Sequence, residues 1–217
     1  MIVINTISGF SASSRKNSDT LSGFIQEIVR RQQYMSDFPI PDIKLNSHFS
    51  TNPSCVEDSL SSLVEGTIPW NIINRVQFIG KSMGGVKTWW LLKKHWDEFR
   101  KFLEEEDNPK IGVTLIDPHG AQPGDGKIGS YGTFLQKELE YDKRWDKYPN
   151  FKIQCLYQRD KYPRGARLSG FSPNIKLNNS NHWDVTKLGT ESGDIVSKSI
   201  LEQIHWLSID DKIRKHG

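Results

Sequence analysis

A chain of 217 residues, 35% hydrophobic and 11% aromatic, is long enough to bury one sizeable core and too rich in large apolar side chains for a disordered protein. Its 29 basic and 26 acidic residues leave a formal charge of only +3, evenly spread, which excludes the basic footprint of a nucleic-acid-binding or membrane-surface protein. Two cysteines, Cys55 and Cys155, supply neither a disulfide framework nor metal-ligand spacing.

The amino terminus, Met1-Ile2-Val3-Ile4-Asn5, lacks the basic region and apolar stretch of a secretory signal, and no segment approaches the roughly 18 apolar residues that span a bilayer. A soluble, cytoplasmic protein without stable membrane insertion is the expectation, with one domain over residues 1–217. In chain order, Ile2 to Ile7 reads as a strand. Asp19 to Gln33 reads as a helix with Leu21, Ile25, Ile28 and Val29 on one face, and Asp42 to Ser47 as a short strand. A helix is expected from about Cys55 to Val64, then a strand from Arg75 to Ile79.

Next come Gly80-Lys81-Ser82-Met83-Gly84, which spell G-x-S-x-G, and a helical pattern to about Glu106 with apolar residues at Val86, Trp89, Leu92, Trp96, Phe99 and Leu103. Ile111 to Ile116 is a strand, Leu135 to Trp145 helical, and Phe151 to Gln158 and Asn174 to Leu177 strand-like. The chain closes with a helix from about Gly193 to Ser208, carrying Ile195, Val196, Ile200, Ile204 and Leu207. The alternation predicts an α/β fold, a mostly parallel sheet flanked by helices on both faces.

A strand that turns into a helix through a serine with glycines two residues away on either side forces that serine into a strained backbone and leaves its hydroxyl clear of the sheet. Ser82 is therefore the candidate nucleophile. A serine hydroxyl is weak at neutral pH and needs a histidine base, itself oriented by a carboxylate. Of the six histidines, His95 and His205 fall within predicted helices and His216 at the terminus. His182, in the polar turn Asn181-His182-Trp183-Asp184, is the preferred base, and His119, in Asp117-Pro118-His119-Gly120, is second.

The strand and helix order, the turn Gly80 to Gly84, the loop Ser8-Gly9-Phe10 and the late His182 together resemble the α/β-hydrolase superfamily, in a small form without a lid insertion. The resemblance covers nearly the whole chain. It implies the α/β-hydrolase fold and the chain order serine, acid, histidine, which sets aside His48. It offers two positions for the acid. Asp160 follows the strand Phe151 to Gln158, the commonest place in the superfamily, whereas Asp117 follows the preceding strand, as in lipases of the pancreatic type. Sequence texture favours Asp117, because Asp160 sits among Arg159, Lys161 and Arg164 at a charged loop tip, while Asp117 directly follows an apolar strand and is held by Pro118.

By position, the backbone N–H groups of Met83 and Phe10 are the oxyanion donors. The implied activity is a serine hydrolase acting on a small-molecule ester or thioester through an acyl-enzyme, with neither metal nor organic cofactor. An acyltransferase or peptidase using the same residues, or a non-catalytic binding protein with this fold, are the alternatives. Trp89, Trp90 and Trp96 are read mostly as core, with Trp90 nearest the substrate mouth, and Cys155 as a small buried apolar residue. Glu104 to Asp107 is a solvated helix end. Gly124-Asp125-Gly126-Lys127-Ile128-Gly129 lacks the spacing of a phosphate loop and is expected beside the site. A lidless form should turn over short-chain esters in true solution, so initial rates should saturate below the solubility limit of the ester. Activity confined to concentrations above that limit contradicts this.

Overall fold

The computed structural model describes residues 1–9, 21–35, 42–49, 74–105, 108–119, 138–161, 164–171 and 173–209. Its strands are β1 (Ile2–Ser8), β2 (Ile43–Phe49), β3 (Arg75–Lys81), β4 (Lys110–Ile116), β5 (Glu138–Glu140), β6 (Phe151–Tyr157), β7 (Arg167–Ser169) and β8 (Asn174–Lys176). Six of them form one sheet in the order β2-β1-β3-β4-β6-β8, with every adjacent pair parallel, and β5 pairs with β7 in a small second sheet. The central strands carry apolar residues on both faces because both are covered: all seven residues of β1 and of β4 are buried.

Among the described residues four helices do the covering: α1 (Leu21–Met35), α2 (Met83–Lys94), α3 (Trp96–Glu105) and α4 (Glu191–Ser208). Successive strand side chains point to opposite faces and so feed two separate cores. Val3, Ile7, Val76, Phe78 and Val113 pack with Trp89 of α2 and Phe99 of α3. Ile2, Ile4, Ile79, Ile116 and Leu156 pack with Ile25 of α1 and Ile200 of α4. The fold is thus α/β, a mostly parallel sheet between helical layers, as the alternation of elements predicts.

Two expectations are corrected. The single helix from Val86 to Glu106 is two helices, interrupted at His95, whose backbone N–H closes α2 onto the Leu91 carbonyl at 2.9 Å. The apolar spacing runs unbroken across the break, so periodicity alone does not reveal it. What decides is tertiary packing: Trp96 stands edge-on to Trp145 at 4.5 Å and to Tyr148 at 5.8 Å. His95 accordingly lies between helices and not within one.

The helix expected over Leu135 to Trp145 is replaced, in its described part, by β5 and a one-turn 3₁₀ helix over Lys143–Lys147. Asp142 starts that turn by accepting from the Arg144 backbone N–H at 3.1 Å, and Leu139 becomes core through the pairing of β5 with β7. The helix expected at Cys55 to Val64, Cys55 itself, Phe10, His216 and the loop Gly124 to Gly129 lie outside the described residues. Trp90 is half-buried against the core with the Lys94 ammonium 4.9 Å above its ring, eight residues along α2 from Ser82 and so about 12 Å from it. Burial pushes the Cys155 thiol up to about 12, which keeps it an inert core residue.

A buried polar cluster seats α4 on the sheet. Gln203 accepts from Gln77 at 3.0 Å and Thr114 at 2.6 Å, and its amide nitrogen donates to the carbonyls of Val113 at 3.2 Å and Lys152 at 3.1 Å. Room for it exists because Gly112 has no side chain: a methyl group there would approach Gln203 to 3.0 Å. Gln203→Ala strands several buried donors and acceptors at once and should cost about 3 kcal/mol in urea unfolding, against under about 1 kcal/mol for exposed Glu202→Ala.

Candidate active site

In the sheet order β2-β1-β3, the chain leaves β1 to one side and returns to build β3 on the other, so a crevice opens between the carboxyl ends of β1 and β3. Ser82 stands there, one residue past β3. It adopts φ 60° and ψ −132°, a region that a residue with a side chain rarely occupies. Neighbouring glycines make the turn possible: a side chain at Gly84 would collide with the Ile7 carbonyl, and a methyl group at Gly9 would lie 2.7 Å from Ser82 Cβ and 2.8 Å from its Oγ. The serine backbone is pinned from both sides, its N–H donating to Ile116 O at 3.0 Å and its carbonyl accepting from Gly85 N at 2.9 Å.

Asp117 occupies the corresponding position after β4, fully buried and at φ 44°. Among the described residues three donors surround its carboxylate. Gln158 supplies its backbone N–H to Oδ1 at 3.0 Å and its side-chain amide to Oδ2 at 3.3 Å, and His182 Nδ1 meets Oδ2 at 2.6 Å. Burying a carboxylate is costly unless such donors replace water, so this set is what allows Asp117 to be there. Gly165 completes the enclosure, since a side chain on it would run into Asp117 Oδ1.

His182 is 3% exposed and is presented by a turn after β8. The Asn181 carboxamide oxygen shapes that turn by accepting from Trp183 N at 2.9 Å and Asp184 N at 3.1 Å, the side-chain mimicry of a backbone turn that favours asparagine. Of the two candidate acids, Asp117 is the one bonded to His182. Asp160 is elsewhere engaged, accepting from Asn179 N at 2.6 Å with Lys176 Nζ at 3.6 Å.

The second-ranked histidine is the one in contact with the serine. His119 Nδ1 and Nε2 lie 3.2 and 3.3 Å from Ser82 Oγ, and among the described residues the hydroxyl makes no hydrogen bond to His182. The two imidazoles meet edge to face, with ring centroids 4.4 Å apart. Met83 opens α2, and its backbone N–H, at the positive end of the helix dipole, has no intrahelical acceptor. Phe10, the other expected donor, lies outside the described residues.

Two further participants escaped the sequence reading. Gln158 carries no motif, and only a hydrogen-bond inventory of the Asp117 carboxylate finds it; Asn181 beside His182 is a signal that turn chemistry does supply. No group of three or more His, Cys, Asp and Glu among the described residues is arranged to hold a metal ion, and no described helix is long and apolar enough to cross a membrane. No protein-family model matches the chain, and a search of curated proteins returns no significant match.

Burial above all, and then the adjacent His182, lowers the His119 imidazole to about 4 from an ordinary 6.5, with the Asp117 carboxylate pulling the other way. Between those two values the unfolded chain binds a proton at His119 that the folded chain refuses, so stability falls as pH drops through that window. Urea midpoints measured from about pH 7 to about pH 4.5 should therefore decline, and decline less in His119→Gln, which has no proton to refuse. Equal declines in the two proteins contradict this.

Proposed function

We propose that this protein is a serine hydrolase of the α/β-hydrolase superfamily that cleaves a carboxylic ester or thioester through an acyl-enzyme. The observation that carries the reading is the 2.6 Å bond between His182 Nδ1 and the buried Asp117 carboxylate, at the same end of the sheet as a serine held at positive φ on a strand-to-helix turn. The strand-turn-helix setting of Gly80 to Gly84 supports it, as does the chain order serine, acid, histidine.

In this reading Ser82 Oγ attacks the acyl carbon while its proton passes to Nε2 of His182. The carbonyl electron pair moves onto oxygen, where the Met83 N–H, with Phe10 as the sequence-based second donor, stabilises it. Collapse breaks the bond to the alcohol or thiol, which takes the proton from His182, and a water molecule then releases the acid by the same steps. Asp117 holds His182 in the tautomer with the proton on Nδ1 and stabilises the imidazolium, and Gln158 in turn orients Asp117.

A second reading, a Ser82–His119 dyad, draws on the contact between those two side chains. It is disfavoured by the low basicity of His119, whose ring is bonded to no carboxylate among the described residues. Labelling with a fluorophosphonate, read by intact mass, separates the two. A single adduct on the parent is expected, absent in Ser82→Ala. Its rate should fall about 10³-fold or more in His182→Ala and Asp117→Asn and by less than about twofold in Asp160→Asn. An unlabelled parent would leave the non-catalytic binding protein as the better account.

A further inference from the structure

The imidazole of His119 lies against Ser82 Oγ and that of His182 against His119, and acyl transfer needs only one of them to carry the serine's proton. His119 is the surplus group. Its Nδ1 faces both Ser82 Oγ at 3.2 Å and the main-chain oxygen of Asp117 at 3.4 Å, while Nε2 is 3.3 Å from Oγ. A carbonyl oxygen accepts and cannot donate, so the tautomer that suits this contact carries the proton on Nδ1 and a lone pair on Nε2. The hydroxyl, which both donates and accepts, has that lone pair within hydrogen-bond reach. Among the described residues the hydroxyl's contacts of hydrogen-bond length are with His119, and none is with His182.

We propose that His119 is a positioning residue that holds the Ser82 hydroxyl in the resting protein, turned away from His182, and yields it when an acyl group enters the crevice; this rests on reading Ser82, His182 and Asp117 as the catalytic set. His119 is braced for that role. Its backbone N–H donates to Ser82 O at 3.3 Å, and the preceding Pro118 carbonyl accepts from Ala166 N at 2.6 Å, which ties the segment to the strand beyond. Among the described residues the titratable groups facing it are His182, Asp117 and Lys81; burial, with His182 and Lys81, outweighs Asp117 and leaves it uncharged near neutral pH. It can therefore accept the hydrogen bond without keeping the proton. The Asp117 carboxylate, bonded to His182, supports a positive charge on that ring instead. No bond forms or breaks at His119: the proton moves only between Oγ, His182 and the leaving group.

The test is the rate of fluorophosphonate labelling at about pH 7.5 in the parent, His119→Ala, His119→Gln and His182→Ala. Removing the competing acceptor should speed labelling in His119→Ala by about threefold to tenfold, the worth of one neutral hydrogen bond. His119→Gln, which restores an acceptor oxygen, should return to within about twofold of the parent. His119→Ala labelling at or below the parent rate overturns the proposal. A collapse in His119→Ala with His182→Ala unaffected makes His119 the base and overturns the division of labour as well. No labelling in any protein overturns the underlying reading of the site. A measurement on the parent alone guards against a variant that fails to fold: ¹⁵N-histidine NMR should find His119 protonated on Nδ1 with a bare Nε2, and the opposite tautomer overturns the proposal.

Discussion

The fully buried carboxylate of Asp117 is the constraint on which the rest of this site depends. Out of water, such a group persists only where donors take over its hydration, and here Gln158 provides two and His182 a third. Each comes from a different stretch of chain: Asp117 follows β4, Gln158 follows β6 and His182 follows β8. The requirement for donors therefore locks three strand ends together. It also explains Gly165, which must lack a side chain for the carboxylate to be enclosed at all.

The serine side of the crevice obeys a steric rule and not an electrostatic one. Ser82 leaves β3 at positive φ, and α2 begins at the next residue, so the backbone of β1 comes close enough that neither Gly9 nor Gly84 can carry a side chain. Parallel pairing of β1 with β3 and of β3 with β4 brings this tight turn alongside the Asp117 turn. The backbone N–H of Ser82 donates to the carbonyl of Ile116, the residue before Asp117, so a hydrogen bond ties the two strained turns together.

Most of the fold was legible. Apolar runs such as Ile2-Val3-Ile4 and Val113-Thr114-Leu115-Ile116 are long enough to mark strands buried on both faces, and the glycine spacing around Ser82 announces its turn. The misreadings have a shared cause. At His95 and across Glu138 to Lys147, local periodicity favours helix, but the indole of Trp96 and the side chain of Leu139 gain more from contacts distant in sequence. Residue type also identified both members of the His182 and Asp117 pair, with texture preferring Asp117 to Asp160.

The sequence by itself determined which residues could carry chemistry: a serine in a strained turn, a carboxylate at a strand end and histidines in polar loops, because nucleophilicity and acid-base capacity belong to residue types and local backbone. Only the tertiary structure decided who meets whom. His182 joins Asp117 across 65 residues, Asp160 is taken by Asn179 and Lys176, and the hydroxyl of Ser82 rests on His119. Those pairings are set by strand order and register, which bring distant strand ends to one edge of the sheet, and no local pattern in the chain encodes that distance.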